Sequence, residues 1–231
     1  NANQARAQLT AQTYENPAEP PMFCMLMRKH LMGSRITDIR QLSGDRILAL
    51  SFDCLDDLGY HVQKTLYLEL MGRHSNLTLV GGDGTIIDAI RHVNSEMSRV
   101  RTVLPGGKYQ LPPQPDKLTP ETLSAEALGN RLASLSVPLF KGLIECVAGM
   151  ASVCAREVCA QAGLDASTPL GELNLTVAAP RLAAFYQSAP ERVSPVTLYD
   201  EAGLAADFFP FPYLTFTAEN QKPMPTLSEA M

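Results

Sequence analysis

The residue types able to carry covalent or metal chemistry are few in this 231-residue chain: four histidines, His30, His61, His74 and His92, and five cysteines, Cys24, Cys54, Cys146, Cys154 and Cys159. The histidines never recur at the H-x-x-x-H or H-E-x-x-H spacing that sets two imidazoles on one metal, and no two cysteines form a C-x-x-C pair. An odd cysteine count, with three of the five along one apolar helical stretch, argues for small buried hydrophobes over a disulfide scaffold. There is no G-x-S-x-G elbow. Gly81-Gly82-Asp83-Gly84 lies between two strand-like runs instead of a strand and a helix, so it reads as a turn and not as a phosphate loop. The residues therefore predict no catalytic group, no metal and no cofactor.

What is left is a set of basic and polar side chains at the ends of elements. Arg28, Lys29 and His30 share one helix, Asp45-Arg46 heads a strand, Arg73-His74-Ser75-Asn76 fills a strand-to-strand loop, and Arg91, His92, Arg99, Arg101 and Lys108 follow. Such groups suit phosphate and sugar contacts, the arginine fork matching two phosphate oxygens. For any one of them taken singly, an ordinary solvated edge is the better explanation. Asp45-Arg46 is the sharper case, an acceptor beside a fork donor in an exposed turn. In the second half, two short helices joined near Ala148-Gly149-Met150 offer a helix N-terminus to a phosphate, with Arg156 off their apolar stripe. Core packing alone accounts for Ile144, Val147, Val153 and Val158.

Periodicity supplies the elements that must position these groups. Phe23, Leu26, Met27, His30 and Leu31 recur at helical steps within Met22–Met32, after the breaker Pro20-Pro21 and before Gly33, with Arg28 and Lys29 off that stripe. The period then drops to two: strands at Ile36–Leu42 and Arg46–Asp53 about a Ser43-Gly44 turn, then Lys64–Met71, Asn76–Val80 and Thr85–Ile90, an antiparallel meander. Prolines in Leu104–Gly107 and Leu111–Pro115 mark a boundary. Beyond it come a helix capped by Thr119, two helices within Leu139–Ala162 closed by Gly163, and a helix at Val177–Gln187. A hairpin of Val196–Tyr199 with Phe208–Phe216 follows, and the tail from Pro223 reads as a linker.

Apolar residues make up 45% and charged residues 19% of the chain, with a mean hydropathy of −0.03 and no apolar run approaching a membrane span. Disordered, collagen-like and transmembrane classes are excluded on those grounds. A formal charge of −5 argues against a protein that coats nucleic acid non-specifically, but the balance is uneven. Residues 1–110 hold 12 of the 19 Lys and Arg and 11 of the 24 Asp and Glu, which leaves 7 against 13 for the rest. No export signal is legible at the start, and a reducing cytoplasm is the expected compartment.

Five stretches together resemble one family: Tyr14-Glu15-Asn16-Pro17-Ala18-Glu19-Pro20-Pro21-Met22-Phe23-Cys24, Leu26-Met27-Arg28-Lys29-His30-Leu31, Gly44-Asp45-Arg46-Ile47, Leu68-Glu69-Leu70-Met71-Gly72-Arg73-His74-Ser75-Asn76, and Arg101-Thr102-Val103-Leu104-Pro105-Gly106-Gly107-Lys108-Tyr109. In this order they are similar to the amino-terminal region of the NFACT proteins. The resemblance implies an α+β fold. Residues 1–115 would form a β-rich domain akin to formamidopyrimidine-DNA glycosylases, with its first helix and strands lying before residue 1. Residues 116–192 would form a helix-hairpin-helix domain, and 193–231 a β-hairpin and linker toward a coiled coil.

The same resemblance implies work in ribosome-associated quality control. Such a protein binds a large ribosomal subunit obstructed by peptidyl-tRNA, recruits alanyl-tRNA and promotes template-free alanine tails, while the ribosome itself makes the peptide bond. It is therefore expected not to be an enzyme. The family's Asp-Arg pair for tRNA recruitment maps onto Asp45 and Arg46, with Arg28, Lys29, His30, Arg73, His74 and Asn76 completing the expected tRNA contacts. Partners are expected to be tRNA and the large subunit, and no membrane. Two other readings stand beside this one: a fibronectin- or fibrinogen-binding adhesin, after an older family label, and a DNA repair glycosylase, by fold analogy alone.

Overall fold

A computed structural model describes residues 5–42, 45–113 and 116–231. The expected Ser43-Gly44 turn and the Gln114-Pro115 part of the proline boundary lie outside the described residues. Contacts divide the chain at residue 114 into two compact units, residues 8–11 joining the second.

The first unit is built on one sheet. Helix α1 (Met22–Leu31) follows Pro21, whose carbonyl accepts the Cys24 and Met25 amides, and it ends before Gly33, which holds φ +79°. An L side chain is strained in that left-handed conformation, and glycine is not. Strands β1 (Arg35–Gln41), β2 (Ile47–Leu55), β3 (His61–Glu69), β4 (Asn76–Gly81) and β5 (Ile86–Ala89) form an antiparallel meander in that spatial order. Alternation sends Leu50, Phe52, Cys54, Leu66 and Leu79 to one face, where they pack under Leu26, Met27 and Leu31 of α1. Tyr67, Glu69, Asn76, Thr78 and Val80 go to the other face. That face is covered by the segment after β5, where Val93 bridges Val103 and Ile86 exchanges backbone hydrogen bonds with Gly106 and Gly107.

The second unit packs α2 (Ala125–Ala133), α3 (Leu139–Cys146), α4 (Ser152–Gln161) and α5 (Leu175–Ser188) around Leu128, Leu132, Leu139, Leu143, Cys159 and Leu182. A three-stranded antiparallel sheet accompanies them, in the order β7 (Ala205–Phe209), β6 (Val196–Tyr199), β8 (Gln221–Pro223). Three expectations change here. Ser124, not Thr119, caps α2 by accepting the Ala127 amide, while Thr119 closes a single turn with Thr122 and Leu123 because Leu123 is drawn into the core. The strand expected over Phe208–Phe216 stops at Phe209, since Pro210 and Pro212 cannot donate to a ladder. The tail is not an extended linker: β8 ends at Pro223 and α6 (Leu227–Ala230) follows, with Ala230 buried and its carbonyl accepting the Thr197 hydroxyl.

Candidate functional site

An antiparallel meander brings the start of β2, the end of β3, the start of β4 and the end of β5 to the same end of the sheet. Arg46 sits just before β2, the 3-10 turn Gly72–His74 joins β3 to β4, and Arg91 follows β5. Together with the 93–113 segment they enclose a cleft of about 650 Å³, whose polar lining includes Arg46, His74, Asn76, Arg91 and Arg101. Its other walls are apolar, from Met71, Val93, Met97, Val100, Pro112 and Pro113.

Each side chain there has a defined job. The Arg46 backbone is tied down, its amide donating to Asp45 Oδ1 at 2.7 Å and its carbonyl accepting the Leu70 amide at 2.8 Å. Gln41 Nε2 of β1 donates to the Asp45 carbonyl at 2.7 Å. The Arg46 guanidinium itself is exposed and makes no hydrogen bond or ion pair among the described residues. Asn76 is buried and committed to structure: its Oδ1 accepts the Arg91 amide at 3.0 Å and its Nδ2 donates to the Arg91 carbonyl at 2.9 Å. The Arg91 guanidinium donates to the Arg73 carbonyl, and Arg73 Nε lies 3.0 Å from His74 Nε2. Asn76 thus fixes Arg91 against the turn that carries Arg73 and His74.

Arg28, Lys29 and His30 do not join this group. The amphipathic stripe of α1 must seat on the face opposite the cleft, so its basic end lies over the middle of β3, where His30 Nδ1 meets Lys64 Nζ at 3.3 Å. Lys64 and Glu69 are five residues apart on one strand, about 17 Å at the usual strand rise. Burial, then the charges of Lys64 and Lys29, lowers the His30 pKa and favours the neutral imidazole that can accept from Lys64. The eight expected contact residues therefore split: Asp45, Arg46, Arg73, His74 and Asn76 gather at the cleft end, and three lie elsewhere. In the second unit, Arg156 stacks over the Phe140 ring, 4.0 Å from its centroid.

Sequence reasoning named Arg91 and Arg101 as edge cations without assigning them to the site, and it passed over Glu69 and Tyr109 as participants. Glu69 is wholly buried under the cleft and takes both forks of Arg101, with Nη1 at 2.8 Å from Oε1 and Nη2 on Oε2. The Tyr109 hydroxyl donates to the same Oε1 at 2.9 Å, and its ring stacks on Tyr67 at 4.1 Å between centroids. Desolvation opposes the Arg101 charge, but the hydrogen bonds and charge of Glu69 outweigh it and its pKa is raised. Burial, then the Glu69 charge, pushes the Tyr109 phenol well above its ordinary value. No local signal marks Glu69, since alternation puts it on the face opposite Leu66 and Leu68.

The arrangement offers donors and apolar walls, which suits an anion joined to a flat apolar group. Among the described residues, no three His, Cys, Asp or Glu side chains converge as a metal site would require, and no helix is long and apolar enough to cross a membrane.

Known proteins are similar to this chain in sequence and fold. The chain is 40% identical over 161 residues to the Rqc2 homolog RqcH of Bacillus subtilis (strain 168), an alignment covering 69% of this chain and 28% of that protein. It spans about a quarter of the length of the curated relatives it matches. The solved N-terminal part of the fibronectin/fibrinogen-binding protein from Streptococcus suis superposes with a TM-score of 0.75 at 34% identity, over 97% of this chain and 76% of that one. The fibrinogen binding protein from Staphylococcus aureus shares the fold, with a TM-score of 0.80 at 23% identity over 99% of this chain and 78% of that one. Residues 1–231 match the family described as NFACT N-terminal and middle domains. The mixed α/β architecture with antiparallel sheets agrees with that match, and the chain belongs to the NFACT N-terminal family.

Proposed function

We propose that this chain is the tRNA-binding part of a cytoplasmic factor in ribosome-associated quality control, one that holds alanyl-tRNA on an obstructed large ribosomal subunit for template-free alanine tailing. The observation that carries this reading is the Arg46 guanidinium, exposed and without a partner among the described residues, at the mouth of a cleft that also holds Arg91 and His74. Phosphates bind such donors, and apolar walls of methionine, valine and proline suit the faces of unpaired bases. Relatives named RqcH support the same pathway. On this reading the chain performs no bond chemistry and positions a substrate for the ribosome. The first unit is the glycosylase-like β-domain and the α3–α4 pair the helix-hairpin-helix.

The test is a pull-down of the tagged full-length protein followed by sequencing of the bound RNA. Enrichment of tRNA, alanine isoacceptors foremost, is expected. A second reading, binding of fibronectin or fibrinogen, is favoured by the names of the structural neighbours. Saturable binding of either matrix protein, with no RNA enriched, would put it first.

A further inference from the structure

We infer that Arg101 is a positioning residue for the proposed tRNA cleft, holding the 93–113 wall in place through Glu69 and Gln110 without touching RNA itself; this rests on the function proposed above. The 93–113 segment supplies most of the apolar side of the cleft, including Val93, Met97, Val100, Pro112 and Pro113. Besides the backbone hydrogen bonds of Ile86 with Gly106 and Gly107, its side chains attach it to the floor of the cleft at one buried carboxylate. Arg101 Nη1 serves Glu69 Oε1 at 2.8 Å and the Gln110 carbonyl at 2.9 Å, while Nη2 serves Oε2. Tyr109, eight residues on, brings a third donor to Glu69 and stacks on Tyr67 of β3. Two points of the wall, Arg101 and Tyr109, are thus fastened to the last residue of β3.

Arg101 differs in kind from Arg46. Its side chain is 15% exposed, and its charge is matched by a carboxylate with no exposure at all. A cation already paired inside the protein adds no phosphate neutralisation when RNA binds, so it contributes little to the salt dependence of affinity. Arg46, exposed and unpaired among the described residues, contributes fully. Glu69 raises the Arg101 pKa and burial raises that of the Tyr109 phenol, so both donors keep their protons through the neutral range.

The experiment measures binding of labelled tRNA to the full-length protein across a salt series, comparing wild type with Arg101→Gln, Tyr109→Phe and Arg46→Ala. Expected are about tenfold weaker binding for Arg101→Gln and a several-fold loss for Tyr109→Phe. Both keep the wild-type slope of log affinity against log salt, whereas Arg46→Ala lowers that slope by about one. Hydrogen exchange over residues 93–113 should quicken in the first two variants. A slope lowered by about one in Arg101→Gln would make it a direct phosphate contact and overturn the inference, as would wild-type affinity in Tyr109→Phe. If Arg101→Gln does not fold, Tyr109→Phe, which keeps the ring stack, decides alone. Wild-type protein that binds no tRNA overturns the functional reading and this inference with it.

Discussion

Arg46→Ala isolates the site from the fold. The guanidinium makes no hydrogen bond or ion pair among the described residues, so its removal should leave unfolding free energy within about 0.5 kcal/mol of wild type. A charge-assisted contact to a phosphate is worth about 1.5–3 kcal/mol, which makes the expected loss of tRNA affinity about 10- to 150-fold. Asp45 separates two explanations of the pair. Its Oδ1 accepts the Arg46 amide at 2.7 Å and squares off the head of β2. If that bond is its whole contribution, Asp45→Asn keeps the acceptor and binds tRNA nearly as wild type, while Asp45→Ala forfeits about 1 kcal/mol of stability and loosens Arg46. Fluorescence anisotropy with labelled tRNA and the full-length protein, paired with urea unfolding, reads both quantities. Wild-type affinity in Arg46→Ala would refute the assignment of the cleft, and an Asp45→Asn as damaged as Asp45→Ala would show that RNA reads the carboxylate charge itself.

Other expectations follow from the packing and electrostatics. Glu157, 1% exposed, accepts the amides of Leu214 and Thr215, the Thr215 hydroxyl and Gln161 Nε2; Glu157→Ala orphans these donors and should cost about 3 kcal/mol or more in urea unfolding, a loss under about 1 kcal/mol counting against it. A Cβ at Gly142 would stand 2.9 Å from both Leu132 Cδ2 and Leu170 Cδ1, so the overpacking cost of Gly142→Ala, about 1–3 kcal/mol, should exceed the roughly 1 kcal/mol that alanine gains in a helix. Gly171→Ala enters open space and should melt within a degree or two of wild type, roughly 0.5 kcal/mol or less. Hydrogen bonds from Thr85, with Lys108 nearby, hold Asp83 down to about 2 from its ordinary 3.8. A depressed carboxylate stabilises the fold above its unfolded pKa and loses that contribution as pH falls through the folded one. The Thr85 amide should therefore report a transition near pH 2 by NMR, and one near 4 would disprove the clamp.

Local pattern determined much of the first unit. Alternation in Arg46–Asp53 and Lys64–Met71, with glycine at the positive φ of Gly84, points to an antiparallel meander, and the order β1 to β5 follows from short connections. Alternation also says which residues share a face, but not what covers that face. Glu69 reads in sequence as the polar member of a half-exposed strand, and it is wholly buried because a segment more than thirty residues later folds over it and supplies Arg101 and Tyr109. The same limit explains Arg28, Lys29 and His30. The place of Arg28 and Lys29 off the helical stripe of α1, and of His30 on it, was legible, whereas the face of the sheet on which that stripe would seat was not.

Thr119 failed as a cap for a related reason: Ser124 competes five residues on, and the burial of Leu123, a tertiary event, decides between them. Residue types thus determined which side chains could grip a phosphate. Only the closing of the sheet end, which brings together positions as distant in sequence as 46, 74, 91 and 101, decided which of them stand around one cavity, because hydrophobic burial chooses the partner face and the charges are carried along with it.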